Sequence, residues 1–270
     1  MVEEKGGCLY IVSTPLGNLS DISFRAVEVL GKVDYILCED TRVTGKLLQK
    51  YGIKTPLKSF YRGKEKREEA GVIQNLKDGF RIALVSDAGT PLINDPGYFL
   101  VKKVIEEGIC VDHIPGPSMV ISALVLSGFD PVPFTFLGYI PSRKKEREEF
   151  IESLNFFDET VVIFETPHRI RETLEIFREK LIPRRIAIIR EFSKINQEVI
   201  RGVTDKIDPG SVKEKGEITI VLAKVEEVKD IYEIDIERLK NILKKDELIA
   251  YLRWRTGLPR NKIYKLLKKM

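Results

Sequence analysis

The sequence predicts an α/β protein of two α/β domains followed by a small helical appendage, and three observations carry that expectation. Short apolar runs of strand length alternate with segments of helical periodicity. A proline-rich stretch from Gly128 to Pro141 divides this alternation into two sets, and after Lys224 the pattern turns charged and helical. The chain has 270 residues, more than the roughly 100 to 150 of a single typical domain.

In the first set, Leu9-Tyr10-Ile11-Val12, Tyr35-Ile36-Leu37-Cys38 and Ile82-Ala83-Leu84-Val85 read as buried strands. Between the first two, Ile22, Ala26 and Val29 recur at helical spacing behind Asp21 as a cap, with Gly31 just past the end. Asp95-Pro96 reads as cap and first-turn residue of a helix that runs through Leu100, Val101, Val104 and Ile105 and stops at Gly108. A strand over residues 110–114 follows.

The second set has Val161-Val162-Ile163-Phe164, a helix carrying Ile170, Leu174, Phe177 and Leu181, then Ile186-Ala187-Ile188-Ile189 and Ile218-Thr219-Ile220-Val221-Leu222. In the tail, Thr256-Gly257-Leu258-Pro259 breaks two short helices, the pattern of a small helix-turn-helix appendage. The domains expected are 1–117, 118–226 and a helical tail over 227–270.

Composition narrows the function class. No apolar run approaches the roughly 20 residues of a membrane span, and the start carries Glu3 and Glu4 where a secretory signal has basic residues. A cytoplasmic protein without membrane attachment is expected. Cys8, Cys38 and Cys110 form no paired metal or redox motif and are expected as buried free thiols. With only His113 and His168, no histidine-rich metal site can be assembled, and no structural metal is expected. Charged residues make up 32% of the chain, 45 basic against 41 acidic, above the roughly 25% of typical domains. Glutamine is confined to Gln49, Gln74 and Gln197. Abundant Lys and Glu with few thermolabile amides predicts a heat-adapted source. A net charge of +4 leans weakly toward an anionic partner.

Several loops sit where open α/β sheets bind ligands, past the carboxyl ends of strands. Ser13 to Asp21 follows the first strand and offers backbone amides, although a strand-to-helix turn of this kind is more often purely structural. Ser86 to Gly97 is long and rich in small residues that let backbone approach a ligand; Asp87 is a candidate acceptor for a ribose, and Asp95 reads as a cap. Ile114-Pro115-Gly116-Pro117-Ser118 opens a helix over 119–127, either an anion site or an ordinary helix start. Glu39-Asp40-Thr41-Arg42 pairs two carboxylates with an arginine, fit either for a polar substrate or for capping and a surface ion pair. Glu165-Thr166-Pro167-His168-Arg169 closes a strand of the second set, with His168 a structural or a functional histidine. Arg143-Lys144-Lys145-Glu146-Arg147 and the tail cations Arg253, Arg255, Arg260, Lys262, Lys265, Lys268 and Lys269 fit phosphate contacts or solvated helix faces. Trp254 either stacks on a base or pins the tail.

Taken together, PLGNLSD, CEDTR, SDAGTPLINDPG, IPGPS, FETPHR and the KGE of Lys215 to Glu217 resemble, in order and spacing, the ribosomal RNA small-subunit methyltransferase I family. The resemblance implies the tetrapyrrole-methylase fold, also called the class III methyltransferase fold. It implies S-adenosylmethionine held in a cleft between two α/β domains, and a homodimer. By that analogy Leu16, Asp87, Gly89, Thr90, Ser118 and Met119 line the donor site from the first domain, with Phe164 and Gly216 approaching from the second.

The implied activity is methylation of a cytidine ribose 2′-oxygen in the decoding region of 16S ribosomal RNA, in the small subunit or as naked RNA. Such a reaction needs alignment behind the sulfonium methyl and a group to take the hydroxyl proton. Glu39, Asp40, Glu165 and His168 are the candidates, unranked. Arg42, Arg169, Arg143, Lys144, Lys145, Arg253, Arg255 and Lys262 are the candidate RNA contacts. Competing readings are a methylase of a tetrapyrrole precursor, against which the basic tail argues, a methylase of a protein side chain, and a non-catalytic RNA-binding assembly factor.

Overall fold

A computed structural model of the chain describes residues 6–63, 65–225, 236–256 and 258–268. The chain divides into two units, one reaching to Ser122 and taking in Phe192–Ile195, the other formed by Ala123–Glu191 and the chain from Asn196 onward.

The first unit is a parallel five-stranded sheet of β1 (Cys8–Val12), β2 (Tyr35–Cys38), β3 (Leu57–Ser59), β4 (Arg81–Val85) and β5 (Cys110–Ile114) in the order β3-β2-β4-β1-β5. Strand alternation sends Leu9, Ile11, Tyr35, Leu37, Ile82 and Leu84 to one face, where α3 (Glu65–Lys77) contributes Val72 and Leu76 and α4 (Tyr98–Glu106) contributes Leu100 and Val104. Val12, Ile36, Cys38, Ala83 and Val85 face the other way, onto Ala26 and Leu30 of α1 (Phe24–Lys32) and Leu48 of α2 (Thr41–Lys50). Helices on both faces explain why these strands read as continuous apolar runs.

Local chemistry sets the ends differently from the sequence expectation in three places. Ser23, not Asp21, caps α1, its hydroxyl accepting the Ala26 N–H at 3.1 Å, and Gly31 lies inside that helix. Asp21 belongs to a separate 3-10 turn over Leu19–Asp21. Gly97, not Asp95, is the N-cap of α4, at a left-handed φ of 118° that only glycine adopts readily, and the Glu65 carboxylate accepts its N–H.

The expected free thiols are corrected for two of the three cysteines. Parallel pairing sets Cys8 against Cys110 at the first residues of β1 and β5, with Cα atoms 4.6 Å apart, and the two form a disulfide. Cys38 is free and buried, and burial pushes its thiol pKa up.

Helix α5 (Met119–Ser127) leads into the second unit. There β6 (Phe134–Tyr139), β7 (Thr160–Glu165), β8 (Arg185–Arg190), β9 (Glu198–Val203) and β10 (Ile218–Leu222) form a sheet in the order β6-β7-β10-β8-β9. Only β6 and β7 pair in parallel; the other pairs are antiparallel. Its core joins Val161, Ile163, Ile186, Ile188, Ile218 and Ile220 to Ile151 of α6 (Lys144–Ser153) and to Ile170, Leu174 and Phe177 of α7 (Ile170–Lys180).

The tail forms α8 (Ile236–Ile242), α9 (Lys245–Thr256) and α10 (Arg260–Leu267), with Gly257 and Lys269 outside the described residues. Ile236, Leu239, Leu248, Leu252 and Ile263 pack together with Ile182 and Val225. These helices therefore share an apolar core with the second unit.

Candidate active site

The loops leaving β1, β4 and β5 are stitched into one cradle in the first unit. Thr14 and Gly89 exchange backbone hydrogen bonds at 2.8 and 3.1 Å, and the Thr14 hydroxyl donates to the Ser86 carbonyl at 3.0 Å. The hydroxyls of Ser13 and Thr90 lie 3.0 Å apart, and Thr90 donates to the Pro117 carbonyl at 3.0 Å. Gly89 sits at φ 84°, and a Cβ there would stand 2.9 Å from Leu16 Cδ2; at Gly116 it would stand 2.9 Å from Ser13 Cβ. Only glycine permits this closeness. Leu16, Asp87, Gly89, Thr90 and Ser118 are thus gathered from three strands, with Met119 beginning α5.

Phe164 and Gly216 belong to the second unit. Phe164 lies in β7, edge-to-face with Phe136 at 4.9 Å and Tyr139 at 5.4 Å. Gly216 turns the chain into β10 at φ 86°, where a Cβ would meet the Glu191 side chain at 2.4 Å.

Beside the cradle, the carboxyl ends of β2 and β4 collect three acids in one field. Burial, then Asp95 and Asp87, push the Glu39 pKa up to about 7. Burial raises Asp95 to about 6, with Asp87 adding to it. Asp87 is also raised by burial, and its carboxylate accepts the Asp40 N–H at 3.1 Å. Asp40 is the opposite case. It caps α2 through the Arg42 N–H at 2.8 Å, and hydrogen bonds from the Arg42 guanidinium hold it down at about 2.

The second-unit candidates are built into the fold. Glu165 is fully buried and accepts from the Thr166 N–H, the Thr173 hydroxyl and the Arg169 guanidinium, each at 2.6 Å. Arg169 spends its remaining donors on Thr166 Oγ1 and the carbonyls of Ile140 and Pro141. Its guanidinium clamps the ends of β6 and β7. His168 is exposed, with the Thr166 hydroxyl 3.5 Å away.

Arg255 is buried against the rings of Trp254 and Tyr251 with its guanidinium toward the Val225 carbonyl. Trp254 packs on Tyr251 at 5.9 Å and is 46% exposed. Arg42, Arg143, Lys144, Lys145, Arg253 and Lys262 are exposed cations. Arg143 pairs with Glu146 at 2.9 Å.

Comparison with known proteins now decides the family. Residues 8–208 match the tetrapyrrole (corrin/porphyrin) methylases. The ribosomal RNA small subunit methyltransferase I of Thermotoga maritima is 45% identical over 219 residues, 80% of this chain and 98% of that protein. The chain belongs to the ribosomal RNA small subunit methyltransferase I family. The Bacillus subtilis member of this methyltransferase family is 44% identical over 201 residues, 74% of this chain and 69% of its own. Among solved structures, diphthine synthase superposes with a TM-score of 0.64 at 15% identity, covering 94% of this chain and 98% of its own. The methyltransferase CobJ superposes at 0.62 and 15% identity, covering 82% and 97%. At such identities the likeness is one of fold, the tetrapyrrole-methylase fold.

Three residues of this cradle and its acidic edge were not singled out from the sequence. Ser13 and Thr14 were read only as backbone of the loop after the first strand, with no role for their hydroxyls, and Asp95 only as a cap. The signal for Asp95 was its place in the same long loop as Asp87.

Proposed function

We propose that this chain transfers a methyl group from S-adenosylmethionine to the ribose 2′-oxygen of a cytidine in the decoding region of 16S ribosomal RNA, within the small subunit. The carrying observation is the juxtaposition in one unit of a glycine-lined backbone cradle with Glu39, a carboxyl poised near neutrality.

The cradle suits the donor because Gly89 and Gly116 leave no side chain between the loops and a bound molecule, while Ser13 and Thr90 offer hydroxyls. When bound, S-adenosylmethionine supplies a sulfonium-activated methyl group. Leu16, Asp87, Gly89, Thr90, Ser118 and Met119 hold it in this reading.

In this reading Glu39 takes the proton of the 2′-hydroxyl as that oxygen accepts the methyl group that the bound donor would supply. A base is most effective when its pKa lies near the working pH, which Glu39 satisfies. Asp40, held at about 2 by Arg42, is a weaker base. Both Glu165 oxygens are occupied by donors.

Exposed Arg42, Arg143, Lys144, Lys145, Arg253 and Lys262 serve as phosphate contacts that set register without reading bases. A homodimer in the cytoplasm completes the reading. Ile121 and Val125, one turn apart on α5 and 50% and 74% exposed, offer an apolar face for it. Sedimentation velocity tests that assembly, a monomer at micromolar concentration counting against it.

The substrate class is tested by incubating the protein with donor labelled in the methyl group and, separately, undermethylated small subunits, naked 16S RNA and a tetrapyrrole precursor. Label in subunit RNA is expected. Label only in the tetrapyrrole would keep the fold and overturn the substrate.

A further inference from the structure

A cavity of about 610 Å³ opens in the first unit where the chain passes from the loop after β4 into α4. Its walls include Arg62, Leu92, Asn94, Asp95, Tyr98 and Phe99. Pockets of a few hundred Å³ suit small organic ligands and single nucleotides.

Three features of this cavity lack a purpose within the fold itself. Tyr98 and Phe99 are each 59% exposed, edge-to-face at 5.3 Å, so two large rings are held in solvent at the first turn of α4. Exposed aromatic faces are the platforms on which single-stranded bases stack. The Asn94 Nδ2 atom is buried and has no hydrogen-bond partner among the described residues. A buried amide donor left unpaired is unfavourable unless something brought from outside accepts from it. The backbone is strained at the same place, with Leu92 at φ 74° and Asn94 at φ 69°, and the Arg62 guanidinium fastens the Asn94 carbonyl at 2.6 Å.

The cavity also neighbours the proposed base. Arg62, Glu65 and Asp95, all on its walls, act electrostatically on the Glu39 carboxyl.

We propose that this cavity is the acceptor-nucleotide pocket, receiving the target cytosine unstacked from the RNA, with the base against Tyr98 and Phe99, Asn94 Nδ2 donating to it and Asp95 accepting from it. The inference rests on the functional reading given above. Cytosine presents an N4 amino donor beside acceptors at N3 and O2, which complements a carboxylate acceptor beside an amide donor. Uracil presents a carbonyl where cytosine has the amino group, and so brings an acceptor against Asp95.

The test uses small subunits reconstituted with cytidine or uridine at the modified position, with kcat/KM measured for each. Wild type is expected to prefer cytidine. Tyr98→Leu with Phe99→Leu, which keeps apolar bulk and removes both ring faces, lowers kcat/KM for the cytidine subunit at least tenfold and leaves the donor Kd within twofold. Asn94→Gly, compatible with the left-handed backbone, lowers it likewise. Asp95→Asn narrows the cytidine-to-uridine preference, a readout that a merely structural role would not move.

An active wild type whose variants keep both kcat/KM and the preference overturns the pocket alone. A wild type that methylates no RNA overturns the functional reading and the pocket with it.

Discussion

Glu39 illustrates how one residue acquires a role from neighbours that lie elsewhere in the chain. Its pKa of about 7 comes from burial together with Asp95 and Asp87, which the β4 loop brings beside the end of β2. A carboxyl must be ionised to accept a proton, so with Glu39 as the proposed base the single-turnover rate is expected to rise with pH through a limb near 7 and level off above it. Glu39→Gln is expected to remove that limb and slow the step by about 100-fold or more, the scale of general-base catalysis, with the donor Kd unchanged. Rapid-quench measurements between pH 5.5 and 9 check this; a variant with the wild-type profile would assign the proton to another acceptor. The sequence offered Glu39 and Asp40 as equals, because adjacent letters do not reveal that Arg42 claims one and burial the other. Asp95 was misread for a related reason: Asp-Pro is a good local helix start, but the chain turns at Gly97 instead.

At the scale of elements, legibility followed burial. The central strands β1, β2, β4, β7, β8 and β10 announce themselves as apolar runs because both faces are covered. The strands that the sequence did not reveal, β3, β6 and β9, all lie at sheet edges and are half exposed. β6 is further broken by a register shift between Phe136 and Tyr139, with Gly138 at φ 72°. The Glu165–Arg169 pair joins β7 to the turn before α7, and its removal belongs to this scale. Arg169→Ala strands a carboxylate whose side chain is wholly buried, and is expected to cost about 3 to 5 kcal/mol in denaturant unfolding. RNA affinity per folded molecule should stay near wild type; a selective loss of affinity would establish Arg169 as a phosphate contact. The exposed head of α6 behaves differently. Lys144→Ala with Lys145→Ala is expected to leave stability within about 0.5 kcal/mol and to reduce the salt slope of RNA binding by roughly 1 to 2. An unchanged slope would remove α6 from the interface.

For the molecule as a whole, the two-unit α/β plan and the family were legible because the motifs fall at strand ends in a fixed order, whereas the disulfide was not. Cys8 and Cys110 are 102 residues apart, and only the adjacency of β1 and β5 brings them together. Disulfides inside cells are found in hyperthermophile proteins, which agrees with the charge-rich, glutamine-poor composition. A crosslink closing a loop of this length stabilises by up to about 4.7 kcal/mol in the chain-entropy treatment. Non-reducing peptide mapping should find the bond, and dithiothreitol or Cys110→Ser should lower Tm; intact thiols in air-purified protein would count against it. Alkaline hydrolysis reads the proposed ribose methylation directly, because a methylated 2′-oxygen cannot attack the adjoining phosphate. In small-subunit RNA treated with the protein and donor, one linkage following a cytidine in the decoding region should resist cleavage. A methylated RNA with no protected linkage would place the methyl on a base and contradict the account.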